Sequence, residues 1–288
     1  QTVPIFAGPV LPDHRVNLQS PVLQVVRYTS EFQKQWDEIV AKSKNGTFLF
    51  YRNYMDYHAD RFTDHSLLFL DETKIVAILP ANEREGTLIS HGGLTYGGVV
   101  SDAKMNASTM LEVFNELASY LKDCGFRRLV YKVVPHIYHR LPAEEDRYAL
   151  FRMKARLFRR DISSAVALNN RLSYSKGRKW SVKKGSLSGV EVRRSYDFRS
   201  FMPIEEATLE KHGVKPTHTA EEMELLARHF PEHIKLFAAY RGDTMVAGVV
   251  VYETDQVAHA QYIGATEEGR EANATDYIVD RLISDYAS

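Results

Sequence analysis

The chain has 288 residues, 44% hydrophobic and 26% charged, which is enough for two domains of ordinary size with buried cores. Lysine plus arginine and aspartate plus glutamate each number 37, so net charge is zero and whole-chain electrostatics point to no polyanionic partner. One cysteine, Cys124, excludes an internal disulfide, no run approaches a membrane span, and the N-terminus lacks a signal-peptide core; the chain reads as cytoplasmic.

Residues 1–22, with Pro4, Pro9 and Pro12 and no period, read as an unstructured extension. Leu23 to Tyr28 reads as a strand. Ser30, with Gln33 three residues on, reads as the capping box of a helix that turns Phe32, Trp36, Ile39 and Val40 inward. Thr47 to Tyr51 leads into a second helix, about Asn53 to Arg61, crowded with Tyr51, Tyr54, Tyr57 and His58. Strands follow within residues 66–98, then a helix whose stripe is Met110, Phe114, Leu117 and Leu121. Gly125 ends that helix, and Cys124 reads as a buried helix-end residue. Phe126 to Val134 reads as a strand stopped by Pro135, inserted beside the third strand of the first sheet.

From Arg152 to Arg194 cations crowd the chain, with Asp161 and Glu191 the only acids among them. Within this run Ala165 to Leu168 reads as a strand and Ser173 to Lys184 as a helix. The stretch is either a track for nucleic-acid phosphates or a solvated basic face. Val190 to Arg194 begins a new strand, and helices are expected over Phe198 to His212 and Ala220 to Phe230. Their connecting loop, Gly213 to Thr219, holds Pro216 and has a histidine near each end. Residues 234–286 then read strand, turn, strand, turn, strand and helix. The turns are Arg241-Gly242-Asp243 and Glu253-Thr254-Asp255, and the helix stripe is Ile278, Leu282 and Tyr286.

The same order occurs twice. Leu67 to Leu70 aligns with Lys235 to Ala238, the turn Asp71-Glu72-Thr73 with Arg241-Gly242-Asp243, and Ile75 to Ile78 with Met245 to Gly248. Ser90 to Gly98 falls where Ala258 to Thr266 falls. A duplicated α/β unit follows. Copy one has a strand after its helix, whereas copy two reaches Ser288 in or near that helix. The chain is therefore read as truncated, or its second sheet as lacking closing strands. An open sheet edge calls for cover by the N-terminal extension or by another subunit.

The residues His91-Gly92-Gly93-Leu94-Thr95-Tyr96-Gly97-Gly98, His259-Ala260-Gln261-Tyr262-Ile263-Gly264-Ala265 and Glu268-Gly269-Arg270 carry a resemblance to the GCN5-related N-acetyltransferase (GNAT) fold. In its tandem form the resemblance is to the bacterial FemAB-like peptidyltransferases, and it covers most of residues 23–288. It implies an α/β (α+β) chain of two tandem GNAT-like units, each a mixed, mostly antiparallel sheet flanked by helices. The units are expected at 23–160 and 190–288, joined by a basic linker, 161–189.

The resemblance further implies an acyltransferase that moves an acyl or aminoacyl group to an amine, its acceptor a small molecule or a cell-wall or surface-polysaccharide precursor. An acetyl-coenzyme A-dependent N-acetyltransferase and a degenerate, non-catalytic binding module are the other readings. No cofactor is expected to be permanently bound; the donor is aminoacyl-tRNA or acyl-coenzyme A, with tRNA a candidate partner. Acyl transfer needs a neutral amine and a protonated leaving atom; His suits the first task and Tyr the second. Tyr96, His91, Tyr262 and Gln261 are thus the catalytic candidates, with His259 beside them. Gly264, Ala265, Thr266, Gly269 and Arg270 correspond to the pyrophosphate loop. The carboxylates of Glu267 and Glu268 suit a helix N-terminus by themselves and would repel a pyrophosphate. Tyr54, Tyr57, Gly97, Gly98, Lys183 and Lys184 are the candidates for substrate contact. No metal site is expected: Pro231 breaks the helix that would aim His229 and His233 together.

Overall fold

The computed structural model describes residues 2–4, 23–211 and 213–287. The chain divides into two compact units, residues 1–161 and 162–288.

In the first unit the elements run β1 (Thr2–Pro4), β2 (Gln24–Arg27), α1 (Gln33–Lys42), α2 (Arg52–Met55), β3 (Thr63–Asp64), β4 (Leu67–Asp71), β5 (Lys74–Leu79), β6 (Asn82–Arg84), β7 (Thr87–Ile89), β8 (Val100–Ser101), α3 (Ala107–Asp123), β9 (Arg128–Val130) and α4 (Glu145–Arg152). One antiparallel sheet has the order β2-β4-β5-β8 and a second, mixed sheet the order β1-β9-β7-β6-β3. The first is apolar because β4 and β5 send Leu67, Phe69, Ala77 and Leu79 into a core closed by Phe114 and Leu117 of α3. Each such fully buried side chain is worth about 1.5–3 kcal/mol.

The second unit runs α5 (Lys176–Leu187), β10 (Glu191–Ser195), α6 (Phe198–Glu210), α7 (Ala220–His229), β11 (Ile234–Arg241), β12 (Thr244–Glu253), β13 (Ala258–Ala265), α8 (Glu267–Glu271) and α9 (Ala274–Ala287). Its antiparallel sheet has the order β10-β11-β12-β13. Nearly all of β12 is buried. Val249 and Val251 pack with Ile278 and Leu282 of α9 on one face. On the other face Gly248 admits the Phe201 ring of α6. A capping box between Thr219 and Glu222 starts α7.

The two four-stranded sheets therefore share one plan: a strand, helices, then three strands added antiparallel in sequence order and a helix. Within it, several expectations are corrected. The counterpart of β13 is β8, not Ser90 to Gly98; the hairpin β6–β7 intervenes and residues 91–98 form a loop. Gly97 approaches the Ser90 carbonyl so closely that an added Cβ would lie 2.1 Å from its oxygen, and Gly98 holds φ +102. Strand geometry cannot supply those positions.

The strand expected over Phe126 to Val134 shrinks to β9, which pairs in parallel with β7 rather than joining the first sheet. Residues 2–4 of the extension pair with β9, not with the edge of the second sheet; residues 5–22 lie outside the described residues. Ser30 makes no side-chain cap: residues 30–32 form a 3-10 turn before α1. Ala165 to Leu168 forms no strand: residues 165–167 carry no regular structure and Leu168 opens a 3-10 turn. Cys124 is exposed at the end of α3, whose apolar stripe faces elsewhere. The basic helix α5 packs on α9, where Gly185 lets it close on Asn273 and Tyr277.

Candidate active site

In the first unit the glycine-rich loop 91–98 is clamped from behind. Lys132 Nζ donates to the carbonyls of His91 at 3.0 Å, Gly92 at 3.4 Å and Leu94 at 2.5 Å. Asn82 Oδ1 accepts from the Gly92 N–H at 2.6 Å. The clamp sets His91 at φ +48, buried and tilted against His58 at 5.1 Å between ring centroids. Burial, with His58 and Lys132 nearby, pulls His91 down to about 3, so it is neutral at physiological pH.

Tyr57 stacks flat on His58 at 4.3 Å, and Tyr54 meets Tyr57 edge-on at 5.7 Å. Tyr96 is buried; its hydroxyl donates to Thr47 Oγ1 at 3.0 Å and its ring lies 4.5 Å from that of Tyr138. Burial raises Tyr96 far above the ordinary tyrosine value, so its proton stays in place. The structure thus gathers Tyr54, Tyr57, His91, Gly97 and Gly98 around one loop and seals the Tyr96 side chain into the packing beneath it.

In the second unit Tyr262 and Gln261 lie on β13 under the loop between α6 and α7. The Tyr262 hydroxyl and His218 Nδ1 are 2.5 Å apart. Burial raises Tyr262, and Thr217 and Gln261 also reach its hydroxyl. Burial lowers His259, keeping it neutral. Glu205 of α6 is 3% exposed and packs so closely that a Cβ on Gly264 would lie 2.9 Å from its Oε2. Ile263 N–H bonds this carboxylate, and burial raises its pKa. Neither His218 nor Glu205 was singled out from sequence. The histidine beside Thr219 in the loop was a usable signal; a glutamate inside an amphipathic helix was not.

The loop corresponding to a pyrophosphate site is used internally. Thr266 caps α8, its Oγ1 accepting the Gly269 N–H at 3.1 Å and donating to the Val246 carbonyl at 3.1 Å. A Cβ on Gly269 would lie 2.1 Å from that same carbonyl oxygen. Arg270 turns back to the Ala265 carbonyl at 2.6 Å. Glu268 pairs with Arg241 at 2.6 Å. Beside this turn lies a groove of about 560 Å³ lined by Trp180, Lys183, Lys184, Arg241, Glu268 and Glu271. The ammonium of Lys184 sits 5.2 Å over the Trp180 ring.

Residues 169–288 match the family model described as an acetyltransferase (GNAT) domain. Among solved structures the chain matches that of FemX, with TM-score 0.58 and 12% identity over 92% of this chain and 85% of FemX. No curated protein matches the sequence. The second unit thus carries a GNAT-type acetyltransferase domain, and the chain as a whole has a fold like that of FemX. Among the described residues no helix is long and apolar enough to cross a membrane.

Proposed function

We propose that the chain is an aminoacyltransferase that moves an aminoacyl group from tRNA to an amino group on a cell-wall or surface-polysaccharide precursor in the cytoplasm. The amine attacks directly, without a covalent enzyme intermediate. The acyl-transfer class is supported by the acetyltransferase-type domain and the FemX-like fold. The donor assignment rests on the α8 turn. Its Gly269 N–H is already taken by Thr266, its arginine by Ala265, and two carboxylates stand in the first turn. With its Gly269 N–H and its arginine committed, this turn offers a pyrophosphate little, whereas Lys183 and Lys184 beside Trp180 suit a sugar-phosphate chain and a stacked base. Tyr262, held by His218, protonates the leaving oxygen; Gln261 orients it.

A gel shift with charged tRNA across a salt series tests this. Lys183→Ala and Lys184→Ala should each reduce the salt slope by about 1. A shift indifferent to both substitutions sinks the tRNA assignment. The match of residues 169–288 to an acetyltransferase domain favours acetyl-coenzyme A as the second donor. A rise in thermal midpoint with excess acetyl-coenzyme A, and none with tRNA, would install it. Silence toward both donors would leave a binding module.

A further inference from the structure

We propose that residues 147–160 of the first unit dock the protein on an anionic lipid surface. Tyr148, Phe151, Leu157 and Phe158 are 44%, 75%, 49% and 68% exposed. Between them stand Arg147, Arg152, Lys154, Arg156, Arg159 and Arg160, all exposed, with no acid inside the run. Arg147 pairs with Glu144 and Arg159 with Asp161; among the described residues no carboxylate pairs with Lys154, Arg156 or Arg160. The patch is locally cationic although the chain as a whole is neutral.

The segment is held to the unit beneath it. Met153 and Ala155 pack on the first core, and the Ala155 N–H bonds the Leu150 carbonyl at 2.9 Å. Lys154 takes φ +56, which turns the chain out of α4 into the exposed run. The apolar side chains are thus displayed from a fixed base.

A solvated basic face needs no phenylalanine. Scattered apolar residues are ordinary on a surface, but a cluster of them rimmed by cations marks a docking site. Nucleic acid would stack on the aromatic rings and find nothing in Leu157. A membrane interface accepts aromatic and aliphatic groups alike at the acyl boundary and places the cations among the phosphates. Each cation should add about fivefold to the affinity. The inference stands apart from the donor and acceptor proposed above.

The test uses the whole chain with sedimented vesicles of phosphatidylcholine, alone or mixed with phosphatidylglycerol. Binding to the mixed vesicles should exceed binding to phosphatidylcholine by at least about tenfold and weaken with salt. Phe151→Ser with Phe158→Ser should lower it by about tenfold or more at an unchanged thermal midpoint. Arg156→Glu with Arg160→Glu should abolish it. Phe158→Trp should add a blue-shifted emission with the mixed vesicles, after subtraction of the parent signal. Failure to bind the mixed vesicles, or binding indifferent to the phenylalanine pair, overturns the proposal. So does a dimer dispersed by the same pair without vesicle binding, which makes the patch an interface between copies. Single-stranded RNA bound in place of vesicles overturns it equally.

Discussion

The Tyr131 hydroxyl donates to Asp146 Oδ2 at 2.7 Å and accepts the Val99 N–H at 2.7 Å, joining the residue after β9, α4 and the residue that follows Gly98. Both side chains are buried, and among the described residues Asp146 Oδ1 has no hydrogen-bond partner. Burial lifts Asp146 to about 6. The folded state therefore holds this proton where the unfolded chain has lost it. Below about pH 4 both states are protonated and the group is silent; as pH rises through about 6, roughly 3 kcal/mol of stability is lost. Asp146→Asn should remove that dependence while still accepting the tyrosine proton. Denaturant midpoints of both proteins from pH 4 to 7 check this; parallel curves would count against it.

His91 works in the opposite sense. Held near 3 when folded, it stays neutral while the unfolded chain takes up its proton near 6.5. Stability is complete above that pH and falls by about 1.4 kcal/mol for each unit below it. His91→Asn should flatten this acid limb. A limb unchanged in the variant would show that His91 already titrates normally.

Lys132 fixes the loop through three carbonyls. Lys132→Met should cost about 2–3 kcal/mol and speed amide exchange in residues 91–96, leaving the sheet β2-β4-β5-β8 protected. Uniform exchange across the unit would mean the contact is not local.

Gly97 and Gly98 admit no side chain. Gly97→Ala drives a methyl into the Ser90 carbonyl, and Gly98→Ala meets both a left-handed φ and the Tyr131 hydroxyl. Each should cost about 3 kcal/mol, in the upper range for single substitutions. A loss below about 1 kcal/mol, read by urea unfolding, would show that the loop relaxes freely.

Tyr262→Phe removes a hydroxyl but little volume. In a transfer assay it should lower kcat by about a hundredfold with KM nearly unchanged, as removal of a proton donor does. An equal loss in KM alone would make Tyr262 a binding residue.

Sequence carried the periodic part of this protein. Apolar runs such as Leu67 to Leu70 and Ile234 to Tyr240, the stripes Met110–Phe114–Leu117 and Ile278–Leu282, and turns such as Arg241-Gly242-Asp243 are local patterns. They were legible as strands, helices and a duplication because burial selects apolar residues in short runs for buried strands and in stripes for helices. Tertiary structure decided what has no period. It made β8 rather than Ser90 to Gly98 the fourth strand of its sheet, because Gly97 and Gly98 press on Ser90 and Tyr131, which follow the paired strands β7 and β9 of the other sheet. It also set His218 against Tyr262 and Glu205 against Gly264, over separations of 44 residues in the first case. Such pairs leave no mark on local composition; only the packing of loop and helix on the finished sheet brings them together.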